Sequence, residues 1–402
     1  MTAFAEPGST LDTTLREVVE ALAPIARGAG SPGEKQAAEW IADRLVRAGA
    51  ADVRIDEERY RHGFARLIGG LSAAGAAAGA LALTGRGRRV AAAAAGIAAA
   101  GIADDISNGI RPFRRALSSE RTTWNVVAEA GDPEGARTLV VLAHHDAAPT
   151  GAVFDPSFQR ALGEALPGIV ERIDTALPIW WPVIGAPGAI AVGAARRSRG
   201  MVAAGTLGCL AAAAAFADIA RDRIVPGAND NLTAVAVQVA LAERLCEEPV
   251  EGLRVVLASC GAEEVLQGGI HAFAARYFPA LDRDTTFFLN LDTVGSPKLI
   301  LLEGEGCVVM EDYFDRSFRD LVARAAERAG APLRRGMRAR SSTDSVVPSR
   351  AGYPTATIAS MDRYKALSNY HLPSDVPENL VWSTVAHAAV VAEAVARELA
   401  SG

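Results

Sequence analysis

The 402-residue chain has only four cysteines, Cys209, Cys246, Cys260 and Cys307, and no two of them form a Cys-x-x-Cys pair. That scarcity excludes a disulfide framework and a cysteine-built zinc site, and the thiols read as buried side chains. Excess positive charge is missing too. The net charge is −6 and no long basic run occurs outside two short arginine-rich stretches, so no nucleic-acid partner is expected. Residues 1–11 have neither a basic opening nor an apolar run, so they read as a loose tail without a secretory signal. Residues 67–83 lack charge altogether and are almost wholly Ala, Gly and Leu.

What is present is mostly α/β texture, in a chain long enough for one large catalytic domain plus a substantial insertion. Apolar residues recur at helical spacing over 11–26 and 34–48, with Gly30-Ser31-Pro32-Gly33 as the break, and 53–60 alternates like a strand. Two strands follow at 125–130 and 138–143. After Pro226 the pattern is helix 232–246, strand 253–259, helix 268–277 and strand 286–291. Strand 298–302, helix 313–329, strand 355–359 and helix 380–399 complete it. Alternation with continuous apolar strands predicts an α/β fold, a mainly parallel mixed sheet with helices on both faces.

Two stretches interrupt this texture. In the first, apolar segments 67–83 and 90–103 flank Arg86, Arg88 and Arg89. The second, 156–223, holds an amphipathic helix over 157–176, then apolar segments 177–195 and 201–217 around Arg196, Arg197 and Arg199. A spanning helix needs about 20 apolar residues, so the first pair is marginal and the second close to adequate. Trp180 and Trp181 stand near one end, where an interfacial belt would place them. The reading is a multi-pass membrane protein that meets the bilayer through residues 67–103 and 177–220. The alternative is a pair of soluble Ala/Gly-rich hairpins that pack together or form a homodimer interface; either way, such small residues let helices approach closely. Arg59, Arg61, Arg66, Arg111, Arg114, Arg115, Arg172, Arg221 and Arg223 flank the hairpins on the domain side. With the missing signal they place the catalytic domain on the cytoplasmic side.

The residues that carry chemistry gather around Pro226-Gly227-Ala228-Asn229-Asp230-Asn231-Leu232-Thr233. Asp230 there is either a helix cap or a rigidly held metal ligand whose two oxygens bridge two ions. His144 and Asp146 leave a strand two positions apart and so point to the same side, as suits a histidine ligand oriented by a carboxylate; His145 points away and reads as structural. Glu263 and Glu264 follow the strand 253–259. As neighbours they repel unless a cation takes one and leaves the other to accept a proton. Asp292 ends the strand 286–291, and Tyr370 and His371 lie in a loop after 355–359. All fall at or beyond the C-terminal ends of strands, where open α/β sheets build their sites.

The set His144-x-Asp146, Gly227-Ala228-Asn229-Asp230-Asn231, Glu263-Glu264, Asn290-Leu291-Asp292 and Tyr370-His371, in that order, resembles the zinc aminopeptidases of peptidase family M28, as does the turn Gly30–Glu34. The resemblance covers residues 12–65, 122–155 and 224–402; the hairpins, 66–105 and 156–223, fall outside it. It implies a zinc aminopeptidase/phosphorylase-hydrolase-like fold and two Zn²⁺, for which Co²⁺ or Mn²⁺ can substitute. His144, Asp230 and Asp292 would hold one ion; Asp230, Glu264 and His371 the other. Glu263 would be the general base, Asp146 the group that orients His144, and Tyr370 either a donor to the substrate oxyanion or a packing residue. Two departures stand out. The second hairpin separates His144 from Asp230, where relatives have a short loop, and Thr343-Asp344-Ser345 replaces the Ser-Asp-His of many relatives. The expected activity is hydrolysis of peptide N-termini. The rivals are an inactive peptidase-like binding or assembly protein in the membrane and a one-zinc cyclising transferase acting on N-terminal glutamine.

Overall fold

The computed structural model describes residues 8–175 and 178–401. The first seven residues of the expected tail, and the start of the third apolar segment at Leu177, lie outside that range.

Among the described residues nine strands form one sheet: β1 (Ala51–Arg61), β2 (Glu120–Gly131), β3 (Arg137–His144), β4 (Leu253–Cys260), β5 (Thr286–Leu291), β6 (Lys298–Glu305), β7 (Glu311–Asp312), β8 (Arg334–Ala339) and β9 (Thr355–Met361). Their order is β1-β2-β4-β3-β5-β9-β6-β7, with β8 also on β6. The centre, β4-β3-β5-β9, is parallel, and antiparallel strands extend both sides, β1 and β2 on one and β6 and β7 on the other. The fold is thus the α/β mixed sheet expected from the strand–helix alternation.

Strand periodicity divides the core. In β3, Leu139, Val141 and Ala143 face one side while Val140 and Leu142 face the other. Helices α1 (Thr10–Leu22), α2 (Pro32–Arg47), α10 (Thr233–Glu247), α12 (Arg316–Arg328) and α14 (Trp382–Ser401) cover the first face. The second carries α11 (Gly268–Tyr277) and the short α13 (Val346–Arg350). Helix α2 starts where its sequence says it should: Ser31 accepts the Glu34 N–H, and Pro32 sits in the first turn.

Two local expectations need correction. The helix expected over 157–176 is broken into α6 (Ser157–Ala165) and α7 (Pro167–Arg172), because Pro167 cannot donate the bond that would continue the first. All four cysteines are free, but Cys246 is exposed, since the last turn of α10 emerges from the core. Helix α5 (Pro112–Leu117), with β7, β8 and α13, was too short or too polar to be read from periodicity.

The two hydrophobic hairpins assemble into one four-helix bundle. Helix α3 (Phe64–Leu83) packs on α4 (Arg88–Ile106), α8 (Trp181–Arg196) and α9 (Arg199–Ile219), and α8 packs on α4 and α9. Close approach depends on glycine: a Cβ at Gly79 would collide with Thr206, and one at Gly205 with the Ala186 carbonyl. Each hairpin contributes one helix long and apolar enough to cross a membrane, Phe64–Leu83 and Arg199–Ile219. Helix α8 is shorter than its segment suggested, because Pro182 fixes its start. Phe64, Trp180 and Phe216 meet at one end of the bundle, so the up-down course of the hairpins puts both arginine-rich turns at the opposite end.

Candidate metal centre

Every expected ligand sits at one edge. His144 is the last residue of β3, Glu263 and Glu264 follow β4, Asp292 follows β5, and His371 lies in the loop after β9. These are the four central parallel strands, so their C-terminal ends converge. Asp230 arrives from the irregular turn Ala228–Leu232 in front of α10. The long excursion between His144 and Asp230 leaves and returns at one place, since Pro149 and Ile224 pair across its neck.

Asp230 joins two groups. Its Oδ1 is 3.3 Å from His144 Nε2, and its Oδ2 is 3.4 Å from His371 Nε2. Glu264 Oε2 is 3.1 Å from His371 Nε2. Donor atoms of His144, Asp230 and Asp292 form one cluster, those of Asp230, Glu264 and His371 a second, and those of His144, Glu263 and Glu264 a third. Around a tetrahedral zinc, with bonds of about 2.0–2.1 Å, neighbouring ligand atoms are about 3.3 Å apart. The measured edges match this spacing. Nε2 of His371 and Oε1 of Glu264 are buried without a hydrogen-bond partner, as lone pairs meant for a cation would be. The residues present therefore fit a pair of divalent ions.

The electrostatics of the bare site point the same way. Burial pushes Glu263 well above the usual carboxylate range despite His144, and Asp344, Glu264 and Asp292 push it further. Burial likewise raises Asp292, to about 7, and Glu264, against the pull of His371. Asp230 alone is lowered, because two imidazoles outweigh its burial. His371, though burial opposes its charge, is held up at about 10 by Glu264 and Asp230. So many buried carboxylates around two imidazoles call for added positive charge.

The supporting contacts are specific. Asp146 accepts the backbone N–H groups of Glu263 and Glu264 at 3.0 and 3.1 Å, and its Oδ1 is 3.5 Å from His144 Nδ1. His145 turns away to Ser259 Oγ at 3.0 Å, and burial lowers it to about 4, as suits a structural residue. Glu34, from the Gly30–Glu34 turn, accepts Ala262 N–H at 2.8 Å. Tyr370 stacks on His371 with ring centres 3.8 Å apart, and burial beside Glu264, Asp230 and Glu263 keeps its hydroxyl protonated.

Sequence reasoning missed several residues. Asp375 accepts Asn229 and Asp230 N–H at 2.8 and 3.1 Å and so holds the Asp230 turn. Arg27, fully buried, donates to the carbonyls of His145 and Gly227. Asp344, noticed in the sequence only for the histidine missing beside it, is buried with neither oxygen paired, and burial lifts it to about 8. Phe154 sets its ring 4.5 Å from that of His371 and belongs to the apolar cluster at the base of the bundle. No periodicity or motif announces any of these, although Asp375 ends the stretch that carries His371.

A parallel-centred α/β sheet with paired His–carboxylate clusters at its C-terminal edge is the fold of the zinc aminopeptidases and supports a metallopeptidase-like enzyme. Residues 213–396 match the model of peptidase family M28. Similar solved structures include an aminopeptidase from Aneurinibacillus sp. strain AM-1, at 14% identity and TM-score 0.57, covering 96% of this chain and 92% of that one. A glutaminyl cyclase from Fimbriiglobus ruber matches at 14% identity and TM-score 0.54 over 99% of each chain. LapB from Legionella pneumophila matches at 12% identity and TM-score 0.55, over 97% of this chain and 72% of that one. No curated protein sequence matches the chain.

Proposed function

We propose that the protein is a membrane-attached dizinc metallopeptidase that acts as an aminopeptidase on peptide N-termini. The observation that carries this reading is Asp230, whose two oxygens face two different imidazoles at 3.3 and 3.4 Å, as a bridging carboxylate requires. By this reading His144, Asp230 and Asp292 hold one ion, and Asp230, Glu264 and His371 the other; Co²⁺ or Mn²⁺ suits the same ligands. Such ions, when bound, supply Lewis-acid polarisation and lower the pKa of water toward neutrality.

The chain's own residues do the rest. Glu263 has Oε1 engaged by the Gln267 amide at 2.7 Å, while Oε2 faces His144 at 4.0 Å. Oε2 is thus the atom that takes a proton from water as the new C–O bond forms. It returns that proton to the amine nitrogen as the C–N bond breaks. Asp146 keeps Glu263 and Glu264 in register through their amides, and by the same reading the neutral Tyr370 hydroxyl donates to the developing oxyanion. Preference for free N-termini rests on likeness to aminopeptidases.

Membrane attachment is supported by the bundle's surface. Only 22% of the apolar window in Arg199–Ile219 is buried, whereas a soluble core helix would be mostly covered. Val90, Ile97, Leu207 and Leu210 are all exposed. The longest helix, at 21 residues, measures about 30 Å, close to the hydrocarbon thickness of a bilayer.

One rival has structural support. Glutaminyl cyclases from Fimbriiglobus ruber and Tannerella forsythia resemble the chain about as well as the aminopeptidases do. The deciding experiment measures metal content of wild type and Asp230→Ala, with turnover of aminoacyl, N-blocked and N-terminal-glutamine peptides. About two zinc ions per chain, lost with free-N-terminus hydrolysis in the variant, supports the proposal. One ion with cyclisation of glutamine substrates favours the rival. Bound metal without any turnover favours a binding protein, and no metal in either protein refutes the site.

A further inference from the structure

The end of the first hairpin reaches into the catalytic edge. Helix α4 stops at Ile106, and the turn after it carries Asn108 and Arg111. From that turn and from α5 behind it, side chains contact the backbone of the loop that bears Glu263 and Glu264. Arg111 donates to the Leu266 carbonyl at 3.1 Å. Arg114 donates to the Val265 carbonyl at 2.9 Å while it pairs with the buried Asp105 through two bonds of 2.9 and 2.8 Å.

One chain of hydrogen bonds goes further. Arg111 Nη2 donates to Asn108 Oδ1. Asn108 Nδ2 donates to Gln267 Oε1 at 2.9 Å and to Ser342 Oγ at 3.0 Å. Gln267 Nε2 then donates to Glu263 Oε1 at 2.7 Å and to the Ser342 carbonyl at 3.0 Å. Both amide orientations follow from chemistry. Arg111 can only donate, so Asn108 must turn its oxygen toward it. The Ser342 carbonyl can only accept, so Gln267 must turn its NH₂ toward it and toward Glu263. His271 Nε2 lies 3.0 Å from the same Asn108 oxygen. The guanidinium groups of Arg111 and Arg114 nearby disfavour protonation of His271, so it meets Asn108 as a neutral ring. Gln267 is 2% exposed and its backbone is left-handed at φ 60°, a conformation uncommon for such a residue.

We infer that Gln267 is a positioning residue for Glu263, and that Asn108, at the end of the first hydrophobic hairpin, sets the polarity of its amide. Gln267 occupies Glu263 Oε1 and so presents Oε2 to the metal cluster. The inference rests on the reading of Glu263 as the base. It makes the bundle a support for the active site as well as an anchor, since the relay begins two residues past α4.

The test compares Asn108→Ala, Asn108→Asp and Gln267→Leu with wild type in kcat, KM, zinc content and Tm, on an aminoacyl substrate. Alanine removes the donor but leaves room for water. Aspartate preserves size and the acceptor for Arg111, but turns an oxygen toward Gln267. Gln267 then either keeps an oxygen–oxygen contact with that aspartate or reverses its amide and loses Glu263 and the Ser342 carbonyl, and either way its hold on Glu263 weakens. The expected result is a kcat lowered about tenfold in Asn108→Ala and about a hundredfold in Asn108→Asp and Gln267→Leu, a scale typical of lost orientation. KM and zinc content stay near wild type. An Asn108→Asp variant as active as wild type overturns the relay, as do losses that simply follow Tm and are no larger for aspartate than for alanine. Failure of the underlying reading looks different: wild type itself then binds zinc but hydrolyses nothing.

Discussion

The Oδ1 atom of Asp146 accepts the main-chain N–H of Glu263 at 3.0 Å. Its Oδ2 takes the next amide, that of Glu264, at 3.1 Å. This carboxylate therefore sits beneath two adjacent side chains with separate tasks, besides facing His144. Asn at this position keeps the shape but presents an NH₂ to one of the two amides, where neither group can accept. Asp146→Asn is expected to lower kcat/KM and zinc affinity by about 10- to 100-fold, the range for partners of metal ligands. Kinetics together with a chelator competition check it, and unchanged zinc affinity would refute the placement of both carboxylates by Asp146.

Metal removal should reverse the pH dependence of stability. Burial raises Glu263 and Glu264, lifts Asp292 to about 7 and lifts Asp344 to about 8. Between their unfolded and folded pKa values these groups hold more protons in the native chain, so rising pH destabilises it. His371, raised to about 10, contributes stability that is complete below its unfolded value and is lost as pH rises through the folded one. Asp230, lowered, acts oppositely, but only in acid near or below its ordinary carboxylate range. With chelator, Tm is expected to be lower at about pH 8 than at about pH 5.5. With excess zinc the stabilisation over the chelated protein should grow with pH, because the ligands bind deprotonated. A chelated Tm that rises across this interval would count against the crowded carboxylate site.

Phe154 packs edge-on against the His371 ring at 4.5 Å, with centroid planes at 64°. An aromatic pair in this arrangement contributes about 0.5–1.5 kcal/mol. Phe154→Ala should free the imidazole and weaken zinc binding by about twofold to tenfold, without a comparable loss of Tm. Competition against a chromogenic chelator measures this. Unaltered affinity would mean that the loop alone fixes His371.

The candidate ligands were legible in the sequence because each lies at the end of an apolar strand or in a short, odd turn. Strand ends in a parallel sheet must converge whatever the loops do. Arg27, Asp375 and Gln267 were not legible for a physical reason. Arg27 and Asp375 act on backbone carbonyls and N–H groups supplied by distant segments, and Gln267 on a side chain whose orientation only the fold sets; such partners leave no trace in residue type. Asn108 is hidden further, since it follows a hairpin outside the residues that the family model matches. The bundle was half visible. Uncharged Ala- and Gly-rich segments announced helices that pack closely, but composition alone could not pair α3 with α9 across the intervening strands. The apolar stripe of 157–176 runs on past Pro167, so periodicity predicts one helix where the proline divides two.

Cys246 provides a native probe for the side of the membrane that the peptidase domain occupies. It is exposed near the end of α10, while Cys209, Cys260 and Cys307 are buried. Burial moreover pushes the Cys307 thiol up to about 12 and raises Cys260 well above the ordinary range, so both react slowly as thiolates. A membrane-impermeant maleimide should therefore label one site in the folded protein, with Cys246→Ser as the blank. The arginines that flank the hairpins on the domain side favour a cytoplasmic domain by the positive-inside rule. Under that arrangement intact cells leave Cys246 unlabelled, and inside-out vesicles or detergent expose it. Labelling in intact cells would reverse the orientation and move the peptidase to the outer face. Full recovery of the protein from the aqueous fraction without detergent would remove the bilayer from the proposal, and leave the exposed faces of α4 and α9 to a partner surface.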